Sequence, residues 1–348
     1  MGLILSPISS NSMFKNILIF GHSNLGDACY DLAPIRHLRL AYPASRITFL
    51  TSTKGKELAQ GYPGIDEILT FDKYGKDKGI FKRLALIKHL RLKKFDLAII
   101  LPQTLFFIFL GIPNVWVMKK RMRFDTSGRA IHVVDGYLNL IRSHSVPAEE
   151  GESFNFTFSK AESDFAESFF ANNAITPSDR VVAILPFTNW SYKCWPIEKW
   201  NELIRTFNND YALKVVLLGK AGIDKYSQGL LTKFSPLAAS AVNKCTLKQS
   251  MAIIKRAKLF MSCDSSLIHI ASCMHIPSIG LFGPTEFENY YPYFHRQGVI
   301  VAQSSPDCAP CSNTKHFAKC RAREEAPCMH EISIKEVLEK AREELSLG

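Results

Sequence analysis

The chain has 348 residues, 47% of them hydrophobic and 22% charged, so it can bury large cores, and its length favours two domains over one. This composition excludes global disorder. The formal net charge of +11 suits an anionic partner, and its sign alone leaves nucleic acid, a phosphorylated small molecule and an acidic membrane face open.

Cysteine usage and the amino terminus indicate a cytoplasmic protein. The nine cysteines are an odd number, and Cys263 and Cys273 lie in apolar segments, where thiols act as small hydrophobic groups in a reducing compartment. Residues 1–13 have neither a basic n-region nor a small-residue cleavage site, so we expect no secretory signal.

The first predicted strand, at 16–20, leads into a glycine loop at 21–27 and then into a helix that ends near Pro43. The loop nearly matches the phosphate-cradling pattern G-x-x-x-x-G-K-[ST]. Asp27 and Ala28 take the lysine and hydroxyl positions, which disfavours an NTPase. The dinucleotide fingerprint G-x-G-x-x-G is also missing. Asp27 is a candidate general base for a bound hydroxyl, and the alternative is a helix-capping aspartate.

Further strands are predicted at 46–51, 67–71 and 97–102, with a basic, solvated loop and helix at 73–94. Residues 104–118 carry no charge but are too few to span a bilayer. We expect a buried helix and strand there.

A basic cluster follows the apolar segment, formed by Lys119, Lys120, Arg121 and Arg123. Acceptor binding and ordinary solvated surface are both open for it. An apolar ridge that precedes the cluster in sequence would consist of Phe106, Phe107, Phe109 and Leu110. If that ridge is exposed beside the cluster, the two together would dock on anionic lipid headgroups.

The sequence turns polar between 145 and 180, where we place the domain boundary. This gives an N-terminal domain at 1–150, a linker and the start of the second domain at 151–180, and a C-terminal domain at 181–348 that ends in a helix. The second domain begins with a strand at 181–186, a loop that carries Lys193, and a helix that starts at Trp195 and Pro196.

Residues 257–285 read as strand, helix and strand, the parallel crossover unit. Asp264 would sit at the carboxyl end of the first strand, with Ser265 and Ser266 at the start of the helix. Ligands bind outside such strand ends, and a helix N-terminus suits a phosphate. The alternatives are helix capping by the serines and a structural role for His269.

Four cysteines near the carboxyl terminus follow a C-x2-C spacing and two looser intervals, at Cys308, Cys311, Cys320 and Cys328. This set is compatible with a tetrahedral thiolate zinc site. Free or transiently oxidised thiols, which need no metal, are the alternative.

Four segments, in this order, resemble the lipopolysaccharide heptosyltransferase family, glycosyltransferase family 9, over nearly the whole chain. They are HSNLGDACYDLAPIRHLRLAYP at 22–43, LPFTNWSYKCWPIEKW at 185–200, CDSSLIHIASCMHIPSIGLFGPTE at 263–286, and the cysteine tail that begins CAPC at 308. The resemblance implies an α/β fold in the GT-B arrangement, two Rossmann-like domains that face across a cleft. It places an ADP-heptose donor in the C-terminal domain and a lipid-linked, anionic inner-core acceptor in the N-terminal domain.

The resemblance also implies roles for single residues. Asp27 matches the family's loop carboxylate, which takes the proton from the acceptor hydroxyl as it attacks the anomeric carbon. Lys193 matches a lysine that neutralises diphosphate charge, and Asp224 lies near an acidic residue that holds the ribose. The implied donor-binding set is Thr188, Asn189, Lys193, Asp224, Asp264, Ser265, Ser266, His269, Gly283 and Thr285. The implied acceptor-binding set is Asn24, Lys119, Lys120, Arg121 and Arg123.

Because of three departures from the family pattern, the resemblance defines the type of reaction better than the identity of the sugar donor. Ser266 replaces the usual glycine, Phe187 stands where many members have glycine, and His22 stands where many have arginine. A side chain at 266 would hold the backbone further from the diphosphate.

The sequence therefore predicts an inverting glycosyltransferase that adds heptose to the inner core of lipopolysaccharide. It would work at the cytoplasmic face of the inner membrane, in peripheral contact with anionic lipid and without a required cofactor. One alternative is a family relative with another nucleotide-sugar donor. The other is a non-catalytic nucleotide- or nucleic-acid-binding protein, but the chain lacks interleaved basic and aromatic residues, so we expect no nucleic-acid partner.

Overall fold

The computed structural model describes residues 14–73, 75–125, 127–149, 154–188, 190–220, 225–234, 237–285, 287–301, 311 and 326–347. The chain divides into two compact units. Unit 1 comprises Met1–Ser127 and Val134–Glu150, and unit 2 comprises Gly128–Val133 and Gly151–Gly348. None of the helices in the described ranges is long and apolar enough to cross a membrane.

Unit 1 is built on a five-stranded parallel sheet. Its strands are β1 (Asn16–Phe20), β2 (Arg46–Thr51), β3 (Glu67–Thr70), β4 (Leu97–Ile100) and β5 (Asn114–Val117). Its helices are α1 (Leu25–Tyr30), α2 (Ala33–Ala41), α3 (Thr53–Ala59), α4 (Ile80–Leu92) and α5 (Val133–Arg142). The sheet order is β3-β2-β1-β4-β5, and β1 pairs with both β2 and β4. Continuous apolar runs such as residues 17–19, which are fully buried, form strands that are covered on both faces.

Unit 2 repeats this order in a six-stranded parallel sheet, β11-β10-β9-β6-β7-β8. Its strands are β6 (Val181–Leu185), β7 (Lys214–Leu217), β8 (Ala239–Ser240), β9 (Leu259–Cys263), β10 (Ser278–Phe282) and β11 (Val299–Val301). Its helices are α6 (Lys160–Asn172), α7 (Ile197–Tyr211), α8 (Lys225–Phe234), α9 (Leu247–Arg256), α10 (Ser266–Cys273), α11 (Pro327–Glu331) and α12 (Ile334–Leu345). In each sheet the order of strands reverses beside the first strand, and ligands bind at the carboxyl ends of strands at such a switch point. These points lie between β1 and β4 and between β6 and β9.

The polar segment after residue 150 contains a helix of unit 2. A capping box between Ser159 and Glu162 starts α6, which packs on α9. Residues 128–133 also group with unit 2, because the His132 ring bonds to the Tyr291 carbonyl at 2.9 Å and the Val133 amide donates to the Asn289 carbonyl at 3.1 Å. Unit 2 therefore takes one short segment from within the predicted N-terminal domain.

The structure of the apolar segment at 104–118 differs from the prediction in one respect. Strand β5 is present, but the expected buried helix is a short 3-10 turn, Phe106–Leu110. Gly111, with φ +66°, ends the turn, and only Leu110 within it is buried. Phe106 and Phe107 are half-buried against the sheet, whereas Ile108 and Phe109 are exposed. The predicted ridge is therefore part core and part surface.

Candidate active site

The loop after β1 is held by backbone contacts and ends in the short helix α1, which starts inside the predicted glycine loop. The Gly21 amide donates to the Leu50 carbonyl at 2.9 Å, and the Thr51 hydroxyl donates to the His22 carbonyl at 2.9 Å. Asn24 is the residue before α1, and its side-chain amide donates to the Asp27 carboxylate at 3.2 Å.

Asp27 lies in the first turn of α1 and is half-exposed. The N-cap position is Asn24, so the alternative of an aspartate cap at Asp27 is wrong. A partly exposed carboxylate at the carboxyl edge of the sheet is able to accept a proton from a bound hydroxyl. Its role as general base stays a prediction.

A buried carboxylate in the same loop region, Asp31, was not found from the sequence. Asp31 is fully buried and accepts from the His22 backbone amide at 2.5 Å and from the His22 Nδ1 at 2.8 Å. Gly21 makes room for this contact, because a Cβ there would lie 2.6 Å from the Phe49 ring and 2.7 Å from the Asp31 carboxylate. A lone Asp within a helical pattern gives no sign of such a contact.

Burial, charge and hydrogen bonding act on this pair in opposite directions. Burial lowers the pKa of His22, but the Asp31 charge and hydrogen bond outweigh it and raise the pKa above 6.5. Asp27 also raises the pKa of His22, and Arg123 lowers it. Burial raises the pKa of Asp31, against the attraction of His22. The imidazolium form of His22 is thus favoured beside Asp27.

Replacing Asp31 by asparagine is expected to lower the pKa of His22, because the charge and the hydrogen bond of the Asp31 carboxylate are lost while burial and the Arg123 charge stay. In the unmodified protein the raised pKa contributes stability that is complete below pH 6.5 and is lost as the pH rises through the raised value. An NMR titration of the His22 ring measures this shift. Asp66→Asn, which removes an exposed carboxylate paired with Arg39, is the control and should leave the titration unchanged. An unaltered His22 pKa in Asp31→Asn would refute the assignment.

At the switch point of unit 2, three of the predicted donor residues meet. The Lys193 ammonium lies 2.5 Å from Asp264 Oδ2, and His269 Nε2 lies 3.8 Å from Asp264 Oδ1. The side chains of Lys193 and Asp264 are only 13% and 18% exposed. Burial alone would raise the pKa of Asp264, but His269 and Lys193 hold it well below its usual range. Asp264 is therefore an anion between two basic groups.

The loop that carries Lys193 is anchored on both sides. The Thr188 hydroxyl accepts from the Trp190 amide at 3.1 Å and donates to the Trp190 carbonyl at 2.5 Å. The Lys193 ammonium lies 4.5 Å from the centre of the Trp190 ring. The Trp195 amide bonds to the Cys263 thiol at 3.3 Å, which ties the loop after β6 to the end of β9. Lys193 ends the short 3-10 turn Ser191–Lys193, next to the Trp190 ring.

The start of α10 differs from the predicted serine cap. Ser265 occupies the N-cap position, but its hydroxyl lies 2.7 Å from the Ser262 hydroxyl and no side chain caps the helix. Capping by these serines is therefore wrong. The N–H groups of the first turn keep the partial positive charge that binds anions at helix N-termini.

The loop after β10 packs against α11. A Cβ on Gly283 would lie 2.6 Å from the Met329 sulfur and 2.8 Å from the Cys328 sulfur, so no side chain fits there. The Thr285 hydroxyl is buried without a hydrogen-bond partner among the described residues. A donor group that bonds to this hydroxyl would satisfy it.

Two of the four tail cysteines lie in the described part of the chain. Cys311 and Cys328 are buried, and the Cys311 amide donates to the Pro284 carbonyl at 2.9 Å, next to the glycine that Cys328 contacts. Within the described ranges, no group of three or more metal-binding side chains occurs. Asn189, Asp224, Cys308 and Cys320 lie outside the described residues, so zinc binding stays a prediction.

The predicted acceptor residues fall into two environments in unit 1. Asn24 and residues 119–121 are exposed, whereas Arg123 is half-buried and close enough to His22 to affect its pKa. Arg123 therefore belongs with the loop of Asp27, and Lys119, Lys120 and Arg121 form open surface.

Comparison with known proteins gives a consistent result. The model of glycosyltransferase family 9 (heptosyltransferase) matches residues 83–321. The chain is 26% identical over 309 residues to the lipopolysaccharide core heptosyltransferase OpsX of Haemophilus influenzae, covering 82% of this chain and 84% of the relative.

Two solved structures share the fold. A family 9 glycosyl transferase from Veillonella parvula has a TM-score of 0.76 at 20% identity and covers 96% of this chain and 98% of its own. The E. coli ADP-heptose lps heptosyltransferase II has a TM-score of 0.71 at 20% identity, with coverage of 95% and 98%.

Proposed function

The chain belongs to glycosyltransferase family 9, and from this we propose that it transfers heptose from ADP-heptose to the inner core of lipopolysaccharide, with inversion at the anomeric carbon. The observation that carries the proposal is the contact of Lys193, Asp264 and His269 at the switch point of unit 2. The relatives' names supply the sugar and the acceptor.

The donor side of the reaction rests on unit 2. A diphosphate carries negative charge that increases on the leaving oxygen as the glycosidic bond breaks, and preformed positive groups stabilise that charge. Lys193 and the N-terminus of α10 are such groups, at the ends of adjacent strands. Asp264 holds the Lys193 ammonium in position, because the two side chains are paired at 2.5 Å and largely buried.

The acceptor side rests on the loop of unit 1. Asp27 removes the proton from the attacking hydroxyl as its oxygen bonds to the anomeric carbon, and ADP leaves from the opposite face. The configuration inverts because there is one displacement. This chemistry needs no cofactor, since the cationic side chain and the helix terminus supply the electrostatic stabilisation.

The test is incubation with ADP-heptose and defined truncated lipid acceptors, followed by mass spectrometry. We expect a product heavier than the acceptor by one heptosyl residue, formed equally well with EDTA present. A panel of other nucleotide sugars is the control. Product formed only with another nucleotide sugar would show that the transferred sugar is not heptose. Nucleotide binding without any sugar transfer would contradict the proposed function. Elemental analysis for zinc tests the cysteine tail separately.

We also propose that unit 1 contacts the anionic cytoplasmic face of the inner membrane. The exposed residues Lys119, Lys120 and Arg121 supply positive charge, and nearby in sequence Leu105, Ile108 and Phe109 are 72%, 61% and 57% exposed. Basic residues near an anionic surface contribute about 1 kcal/mol each, and salt screens this attraction.

Changing Lys119, Lys120 and Arg121 to glutamine is expected to weaken binding to phosphatidylglycerol vesicles at low salt, by about 1 kcal/mol per residue, without a change in ADP affinity. Vesicle sedimentation and calorimetry measure the two. The matched control removes the same charge from three exposed lysines of unit 2, Lys160, Lys214 and Lys335. Equal losses in the two triple variants would indicate general electrostatics, and no vesicle binding by the unmodified protein would rule the contact out.

A further inference from the structure

A cavity of about 590 Å³ lies in unit 1 at the switch point between β1 and β4. Residues 21–23, after β1, and residues 102–104, after β4, both contribute to its lining. The loop that contributes His22 and Ser23 continues to Asp27 at the start of α1. The cavity thus begins at the loop that carries the proposed base.

The interior of the cavity is mainly apolar. Phe20 and Leu50 line it from β1 and β2, and Phe71 lines it directly after β3. Ile87 contributes from α4 and Phe106 from the 3-10 turn. These residues belong to, or pack against, the hydrophobic core beneath the sheet. The size falls in the range of small-molecule sites, which are about 300–1,000 Å³. A ligand with a large apolar part fits such a lining better than a free saccharide.

The rim of the cavity is apolar and open to solvent. Ile80, Leu84, Leu105 and Phe109 line it and are 60%, 52%, 72% and 57% exposed. Phe81 is 83% exposed on the same helix but does not line the cavity. Large apolar groups exposed together mark interaction sites on proteins.

Two basic residues line the cavity near this rim. Helix α4 contains Lys82, Arg83, Lys88 and Arg91 and no Asp or Glu, and both Arg83 and Lys73 line the cavity. The occupant should therefore combine an apolar chain with an anionic group close to it.

We propose that this cavity binds one acyl chain of the anionic lipid that anchors the acceptor saccharide. The assignment rests on the proposed function, which brings a lipid-linked acceptor to the loop of Asp27 in the same unit. Each methylene group removed from water adds about 0.8 kcal/mol, so a single chain in the cavity contributes strongly to acceptor binding. Arg83 and Lys73 lie where phosphate groups of the lipid would meet the rim.

The test compares Leu84→Arg with Phe81→Arg in two assays. Both residues are exposed on α4 and the changes in charge are equal, but only Leu84 lines the cavity. In the first assay, the fluorescent fatty acid 11-(dansylamino)undecanoic acid is titrated in without vesicles. Leu84→Arg should weaken its binding about tenfold, a loss equal to fewer than two buried methylene groups, and Phe81→Arg should not. Leu105→Arg, at a more exposed rim position, should act like Leu84→Arg and guards against misfolding of one variant.

The second assay measures transfer to an acylated acceptor and to its fully deacylated form. We expect Leu84→Arg to raise KM about tenfold for the acylated acceptor and to leave KM for the deacylated one unchanged. No saturable binding of the probe, or equal effects of Leu84→Arg and Phe81→Arg, would overturn the acyl site and favour simple insertion of α4 at the bilayer surface. Absence of transfer to either acceptor, with probe binding that depends on Leu84, would refute the proposed function and still support a lipid site.

Discussion

Replacing Asp27 by asparagine is expected to lower kcat about 100-fold or more, the scale of general-base catalysis, while donor affinity stays unchanged. Asparagine keeps the size of the side chain and its contact with the Asn24 amide, but it cannot accept the proton of the acceptor hydroxyl. Asp27 is half-exposed in the first turn of α1 and makes no cap, so the fold should tolerate the change.

Turnover is measured under saturating donor and acceptor, and ADP affinity by calorimetry. Asp164→Asn is the matched control, since it removes a half-exposed carboxylate from a surface ion pair with Lys160 in unit 2. That variant should retain normal kcat. If Asp27→Asn also turns over at a near-normal rate, Asp27 serves only as a favourable charge at the helix N-terminus.

Replacing Lys193 by alanine is expected to weaken ADP binding by about 1.5–3 kcal/mol, the cost of one charge-assisted hydrogen bond. The structure adds a second effect. Lys193 neutralises the buried Asp264 carboxylate at 2.5 Å, and without the lysine that carboxylate would repel the donor diphosphate. Lys193→Ala should therefore bind ADP less well than the double variant Lys193→Ala, Asp264→Asn.

Isothermal calorimetry with ADP measures all of these variants. Lys233→Ala breaks an exposed lysine–carboxylate pair with Glu198 in the same unit and should leave ADP affinity unchanged. Unaltered affinity in Lys193→Ala would exclude the lysine from the donor site. Equal affinity of the single and double variants would show that the carboxylate does not act on the donor.

The fold was largely predictable, because buried parallel strands are short apolar runs with distinct boundaries. The predicted class, GT-B with two parallel-sheet α/β domains, is confirmed. The strand–helix–strand reading of 257–285 is also confirmed as β9, α10 and β10, and it placed Asp264 at a strand end. The resemblance then added Lys193, which lies 71 residues from Asp264 in sequence and contacts it in the structure.

The sequence did not predict the side-chain contacts that depend on tertiary packing. The Ser265 hydroxyl turns to Ser262 and leaves the helix N-terminus uncapped, a choice that the local pattern does not encode. Asp31 looks like a surface residue between two helices, yet it is fully buried against His22. The predicted apolar ridge does not form one exposed surface. Phe106 and Phe107 are half-buried against the sheet and Leu110 is buried, whereas Phe109 is exposed to solvent.

The short segment at 128–133 determines how chimeric enzymes of this family should be built from this chain. A crossover at residue 150, the obvious place between the two units, would separate His132 and Val133 from their hydrogen-bond partners at 291 and 289. In a chimera whose residues after 150 come from another enzyme, the His132 ring and the Val133 amide would lose these hydrogen-bond partners. A chimera that exchanges unit 2 should therefore exchange residues 128–133 together with the residues after 150, since both segments belong to that unit.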